Sequence, residues 1–98
     1  GLIDQAGELL SRDPTPENLL RYKNFIRLFI EAVQSNVEMS ERFSRFGGTS
    51  GRKIHITYDQ IDLNLAEIAD KILSQESDRL KILSLISQIK GLIVDLLS

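Results

Sequence analysis

The chain has 98 residues, a formal net charge of -2 and no cysteine. The lack of cysteine excludes a disulfide framework, a thiolate metal site and a cysteine nucleophile. The slight negative charge gives no overall attraction to nucleic acid or anionic membranes, and no apolar run reaches the roughly 18 residues that a membrane span needs. With 42% hydrophobic and 27% charged residues, the composition predicts one globular domain over residues 1–98 that resides in the cytoplasm.

Apolar residues recur at alternating spacings of three and four along much of the chain. The three clearest stretches are Leu19-Tyr22-Ile26-Phe29-Val33, Tyr58-Ile61-Leu65-Ile68-Ile72 and Ile82-Ile86-Ile89-Ile93-Leu96. This spacing follows the period of an α-helix and gives each helix an apolar stripe that helix packing must bury. The pattern therefore predicts an all-α protein, an antiparallel three- to four-helix bundle. It has a short N-terminal helix and a Gly-rich loop between the second and third helices.

Prolines and capping residues set the predicted ends of the first two helices. The first helix is expected to stop near Arg12, because prolines follow at positions 14 and 16. Thr15 is a suitable N-cap for the second helix, and the proline after it suits the first helical position. That helix is expected to run to about Ser35, with Asn36 adopting the left-handed conformation that ends many helices.

The middle of the chain gives less regular signals. Residues 37–46 fit either a short helical turn or irregular chain, and Gly47–Gly51 has the composition of a mobile loop. Residues 54–57 alternate briefly like a strand, but the sequence offers no strand to pair with them. Residues 54–56 are therefore expected to precede the third helix.

Two further caps define the remaining helices. Thr57 and Gln60 match a capping box, which predicts the start of the third helix, and this helix is expected to continue to about Gln75. Ser77 or Asp78 is expected to cap the fourth helix, which runs nearly to the end of the chain.

The apolar arcs of the predicted helices differ in width. On a helical wheel the arc of the third helix covers about 160°, whereas those of the second and fourth helices reach about 200°. An arc of that width needs more than one neighbour. We expect the second and fourth helices to contact several helices, either within one chain or across an oligomer contact.

Two of these helices resemble those of a known family. The segments Arg21–Val33 and Ile86–Leu97 are similar to the signature helix and the C-terminal helix of the YaaR family of uncharacterised bacterial proteins, and Ile61-Asp62 is similar to its third helix. The resemblance covers most of residues 2–97. It implies an all-helical bacterial cytosolic protein whose N-terminal extension is absent here, and it implies no known activity.

Catalytic and metal-binding motifs are weak. His55 is the only histidine, and with no cysteine or second histidine beside it, a loop histidine is favoured over a catalytic residue or metal ligand. The segment Gly47–Lys53 does not match a phosphate-binding loop. We therefore expect no enzyme activity, no cofactor and no metal.

A local basic segment supports an alternative function. Four basic residues and no acidic residue lie between positions 42 and 55: Arg42, Arg45, Arg52 and Lys53. Phe43 and Phe46 lie among them and could stack on bases. The alternative to protein binding is therefore nucleic-acid binding through residues 42–55. The argument against it is that basic residues beside flexible loops are common.

Asp62 lies inside the apolar arc of the third helix on the wheel. A buried carboxylate without a partner is strongly unfavourable. Lys23, Arg27 and Lys90 border or interrupt the arcs of the second and fourth helices. We therefore expect Asp62 to be a structural carboxylate bridged to one of these lysines or arginines, rather than a functional one.

Small residues share one face of the fourth helix. Ser84, Ser87 and Gly91 form this strip, and small side chains let another helix backbone approach closely. The strip is expected to contact either the N-terminal helix or a second subunit, the alternative being simple exposure. Taken together, the sequence predicts a non-catalytic protein-protein interaction or regulatory module. Its expected partner is a protein, either a different one or another copy of this chain, and no membrane association is expected.

Overall fold

The computed structural model describes residues 1–43, 51–74 and 78–97, with the side chains of 37–43 excepted. Within these ranges the chain forms four helices and no strand. They are α1 (Leu2–Arg12), α2 (Pro16–Phe43), α3 (Gly51–Leu73) and α4 (Arg79–Leu97). The predicted all-α bundle with a short N-terminal helix is confirmed.

Two predicted caps are present in the structure. The backbone N–H of Asn18 donates to Thr15 Oγ1 at 3.2 Å, so Thr15 caps α2 as expected. The backbone N–H of Lys81 donates to Asp78 Oδ1 at 3.1 Å, which makes Asp78 the cap of α4. These bonds satisfy N–H groups that have no partner within their own helix.

Removing the Thr15 cap should destabilise the protein. We expect Thr15→Ala to lower the free energy of unfolding by about 1 kcal/mol, because the N–H of Asn18 loses its acceptor. Urea denaturation measures this change. Ser35→Ala, at an exposed position inside the same helix, is the matched control and should cause no such loss. Equal stability of the wild-type and Thr15→Ala proteins would contradict the capping role.

The predicted boundaries around the central connection are wrong. Helix α2 continues past Asn36 to Phe43, and α3 begins at Gly51, before the predicted capping box at Thr57. Thr57 is instead buried inside α3, three residues after buried Ile54. That spacing is helical, so the brief alternation over residues 54–57 does not reflect a strand. The predicted glycine loop lies outside the described residues, apart from its last residue, Gly51.

The order of packing creates two sides of the bundle. Helix α3 packs against both α2 and α4, and α1 packs against the same two helices, whereas no Cα atom of α2 lies within 8 Å of one in α4 in the described part of the chain. Contacts from Lys53 to Asp95 and from Asn64 to Gln88 show that α3 and α4 are antiparallel.

The core lies where these helices meet. Its buried apolar residues come from all four helices: Ala6, Leu10, Tyr22, Ile26, Ile30, Ile54, Ile61, Leu65, Ile68, Ile82, Leu85, Ile89, Ile93 and Leu96. The residues from α2, α3 and α4 repeat at spacings of three and four, so helical periodicity identified most of this core correctly.

The structural bridge predicted for Asp62 is wrong. Asp62 is exposed, and among the described side chains it forms no ion pair with Lys23, Arg27 or Lys90. Its neighbour Ile61 points into the core, and a step of one residue turns a helix by about 100°. The apolar arc of α3 is also narrower than the wheel suggests, since Leu73, at its margin, is exposed.

Candidate functional site

An open groove runs between α2 and α4 on the side of the bundle that α1 covers. Helix α1 is about 16 Å long, and residues from Gly1 to Ser11 line the groove along it. The groove is therefore bounded by α1, α2 and α4.

The groove has a volume of about 720 Å³ and predominantly apolar walls. Five large apolar side chains that are exposed in the structure line it: Leu2 from α1, Leu28 from α2, and Leu83, Val94 and Leu97 from α4. Half-buried Phe25 and Phe29 add aromatic surface on the α2 side. An apolar concavity of this size is typical of a binding site rather than of ordinary protein surface.

Polar groups mark the part of the groove beside α1. Lys90 Nζ lies 3.8 Å from Asp4 Oδ1, which forms an ion pair between α4 and α1. Tyr22 also lines the groove and is 1% exposed. Burial raises the pKa of the Tyr22 phenol far above its usual value, and the nearby negative charge of Asp4 raises it further. The phenol therefore stays neutral.

Tyr22 should make the fold sensitive to alkaline pH. The unfolded phenol loses its proton near pH 10.0, whereas the folded phenol keeps it to higher pH. Folding thus favours the protonated form. The free energy of unfolding should therefore fall as the pH rises above 10.0, whereas ionisation of Tyr22 should not change it at lower pH. Denaturation at a series of pH values should show a smaller alkaline loss for Tyr22→Phe than for the wild type. Parallel losses in the two proteins would contradict this assignment.

The strip of small residues on α4 meets no other helix among the described residues. Ser84, Ser87 and Gly91 are exposed, and a Cβ atom added at Gly91 would have no heavy atom within 4 Å. The expected contact with the N-terminal helix is therefore wrong. The close approach of α1 depends on Gly7 instead, where an added Cβ would lie 3.2 Å from Cγ2 of Ile86.

The structure describes only two of the four basic side chains in the predicted nucleic-acid patch. Arg52 is exposed on α3, but Lys53 is tied to α4 through an ion pair of 3.6 Å with Asp95 Oδ2. The side chain of Arg42 and the whole of Arg45 lie outside the described residues. Lys53 therefore has an intramolecular role, and the described part of the segment presents one exposed arginine beside it.

His55 lies on an exposed part of α3 rather than in a loop. Among the described residues, no three histidine, cysteine or acidic side chains come close enough together to hold a metal ion. A search of the same residues for a helix long and apolar enough to cross a membrane also found none.

Sequence reasoning did not identify the groove, although one signal indicated it. The apolar arcs predicted for α2 and α4 were too wide for a single neighbour. In the structure each of these helices buries residues against α1 and α3 and still leaves leucine or valine side chains exposed along the groove. What the helical wheel could not show is where the neighbouring helices lie.

The fold and groove define a small helical bundle with an open apolar cleft. A family model described as "Protein of unknown function (DUF327)" matches residues 1–97, and the chain belongs to this family. It is 29% identical over 97 residues to the "Uncharacterized protein YaaR" of Bacillus subtilis (strain 168). The alignment covers 96% of this chain and 64% of that relative, so the chain spans less than two thirds of the relative's length. No solved structure matches the chain significantly.

Proposed function

We propose that the chain is a non-catalytic protein-protein interaction module, and that the groove between α1, α2 and α4 is its binding surface. The observation that carries this proposal is the cluster of exposed apolar side chains along the groove, which includes Leu28, Val94 and Leu97. Contact with a partner would remove this surface from water, which is the main favourable contribution to most protein association.

The shape of the groove favours a helical segment as the bound element. Its two long walls are helices, α2 and α4, and an amphipathic helix laid between two helices is a recurrent mode of recognition. The apolar face of such a segment would contact Leu28 and Val94. A polar side chain of the segment could reach the Asp4–Lys90 ion pair, which adds charged groups to the apolar walls. The lack of cysteine supports a reducing, cytoplasmic setting for this interaction.

A pair of matched leucines on α2 tests the proposal. Leu28 lines the groove and is 56% exposed, whereas Leu20 lies outside it and is 58% exposed. Both variants, Leu28→Asp and Leu20→Asp, should fold, since neither side chain belongs to the core. We expect proteins captured from a bacterial lysate by the wild type to be retained by Leu20→Asp and lost by Leu28→Asp. Capture that does not distinguish the two variants would contradict the groove as the binding surface.

A further inference from the structure

One wall of the groove continues onto the outer surface of α4 as an uncharged strip. We call this strip the α4 face and define it as Leu80, Leu83, Ser87, Gly91 and Val94. All five residues are exposed, and Leu80 at 79% is more exposed than any other large apolar residue in the described part of the chain. A solvent-facing helix surface normally carries charged residues, so the α4 face has the composition of a contact surface.

The α4 face is complementary in size to a second, antiparallel copy of itself. Leu80 and Leu83 precede Ser87 by 7 and 4 residues, and Gly91 and Val94 follow it by 4 and 7 residues. The α4 face is therefore symmetric about Ser87. A two-fold axis at Ser87 therefore places Leu83 of one copy against Gly91 of the other, and Leu80 against Val94. Each large side chain then faces a smaller one. Two-fold interfaces require this kind of self-complementarity.

The charges beside the α4 face are also complementary in this arrangement. Lys81 and Asp95 are 14 residues apart, which places them about 40° apart on the same flank of the helix. In the antiparallel pair Asp95 of one copy is level with residue 79 of the other, about 3 Å along the axis from Lys81. Lysine and aspartate thus lie near each other twice, once at each end of the contact, and Asp95 would there be shared with Lys53 of its own chain. The opposite flank carries Arg79 and Lys90, and the charge of Lys90 is already paired with Asp4 of its own chain.

We infer that the partner of this surface is a second copy of the chain, joined through an antiparallel α4–α4 contact centred on Ser87. This inference deepens the proposed function by naming a partner for the α4 wall of the groove. It also accounts for Gly91. Glycine inside a helix is unfavourable by about 1 kcal/mol relative to alanine, and no contact among the described residues requires it, since an added Cβ would have no heavy atom within 4 Å.

Two sets of variants test the contact by sedimentation equilibrium over a concentration series. The wild type should show a concentration-dependent rise from monomer to dimer mass. Gly91→Leu should raise the dimer Kd about tenfold or more, because leucine would then oppose Leu83. Ala66→Leu, which places a leucine at an exposed position of α3, should leave the Kd unchanged. Thermal melts at a concentration where all proteins are monomeric check that each variant folds.

Charge reversal gives a test that size alone cannot explain. Lys81→Glu should weaken the dimer by placing glutamate near Asp95 of the other copy, and the double variant with Asp95→Lys should restore it. Both substitutions put each charge at the helix end where the dipole favours it, so α4 should remain intact. Asp95→Lys also removes the Lys53–Asp95 ion pair. Because this pair lies at the surface, its loss has a small effect on stability.

Either of two results would overturn the inference. The first is a wild type that remains monomeric over the whole concentration series. The second is a dimer whose Kd is unaffected by Gly91→Leu and by charge reversal, which would place the contact elsewhere. Neither result alters the comparison of Leu28→Asp with Leu20→Asp, which measures capture of other proteins and so tests the proposed function separately.

Discussion

Ile61→Ala is expected to lower the free energy of unfolding by roughly 2–5 kcal/mol. Ile61 is 0% exposed and lies in the core between α3 and its neighbours, so the substitution removes buried apolar surface and leaves a cavity. A domain of this size is typically stable by about 5–15 kcal/mol, so the loss is a large fraction of the total. Chemical denaturation with a two-state fit measures it.

Leu63 provides the matched control on the same helix. It is 68% exposed and two residues away, on the other side of α3. Leu63→Ala should change the free energy of unfolding by less than about 0.5 kcal/mol. Similar losses at the two positions would mean that the face of α3 identified as buried is wrong.

Gly7→Leu should detach α1 from the bundle. Even a Cβ atom at this position would lie 3.2 Å from Cγ2 of Ile86 and 3.3 Å from Cε1 of Tyr22, so the larger leucine side chain has no room. Overpacking of this kind reduces stability by about 1–3 kcal/mol. Because an 11-residue helix is marginal alone in water, α1 should also lose helical structure once displaced. Hydrogen exchange should show lost protection in α1 before α3.

Gly91 supplies the comparison for this variant, since it is also a helical glycine but has open space around it. Gly91→Leu should not reduce the stability of the monomer, and it should keep the protection of α1. If the two leucine variants were destabilised equally, helical glycine itself rather than the close packing at Gly7 would explain the effect.

Local sequence signals predicted much of the fold because they depend on few neighbouring residues. The period of apolar residues gave the helices and most of the core, and Thr15 and Asp78 gave two helix starts through hydrogen bonds that span three residues. The end of α2 and the start of α3 were missed for a related reason. Asn36 and Thr57 suit helix ends, but α2 continues past Asn36, and α3 begins before Thr57, where Ile54 packs into the core.

The groove and the exposure of Asp62 depend on relations between helices, which local patterns do not contain. The way α1 lies between α2 and α4 is a property of three elements together. The position of Asp62 depends on how far α3 is turned toward the core. A helical wheel gives the order of residues around a helix but not the direction in which each neighbour lies.

Site-specific photo-cross-linking in living bacteria tests the proposed binding surface most directly. A photoreactive amino acid at Leu28, in the groove, is compared with the same amino acid at Leu20, which is similarly exposed on α2 but lies outside the groove. We predict protein adducts at Leu28 that are absent at Leu20 and that disappear when Leu97→Asp places a charge on the opposite wall, outside the α4 face. Equal adducts at the two positions, or none at Leu28, would contradict the groove as a protein-binding site.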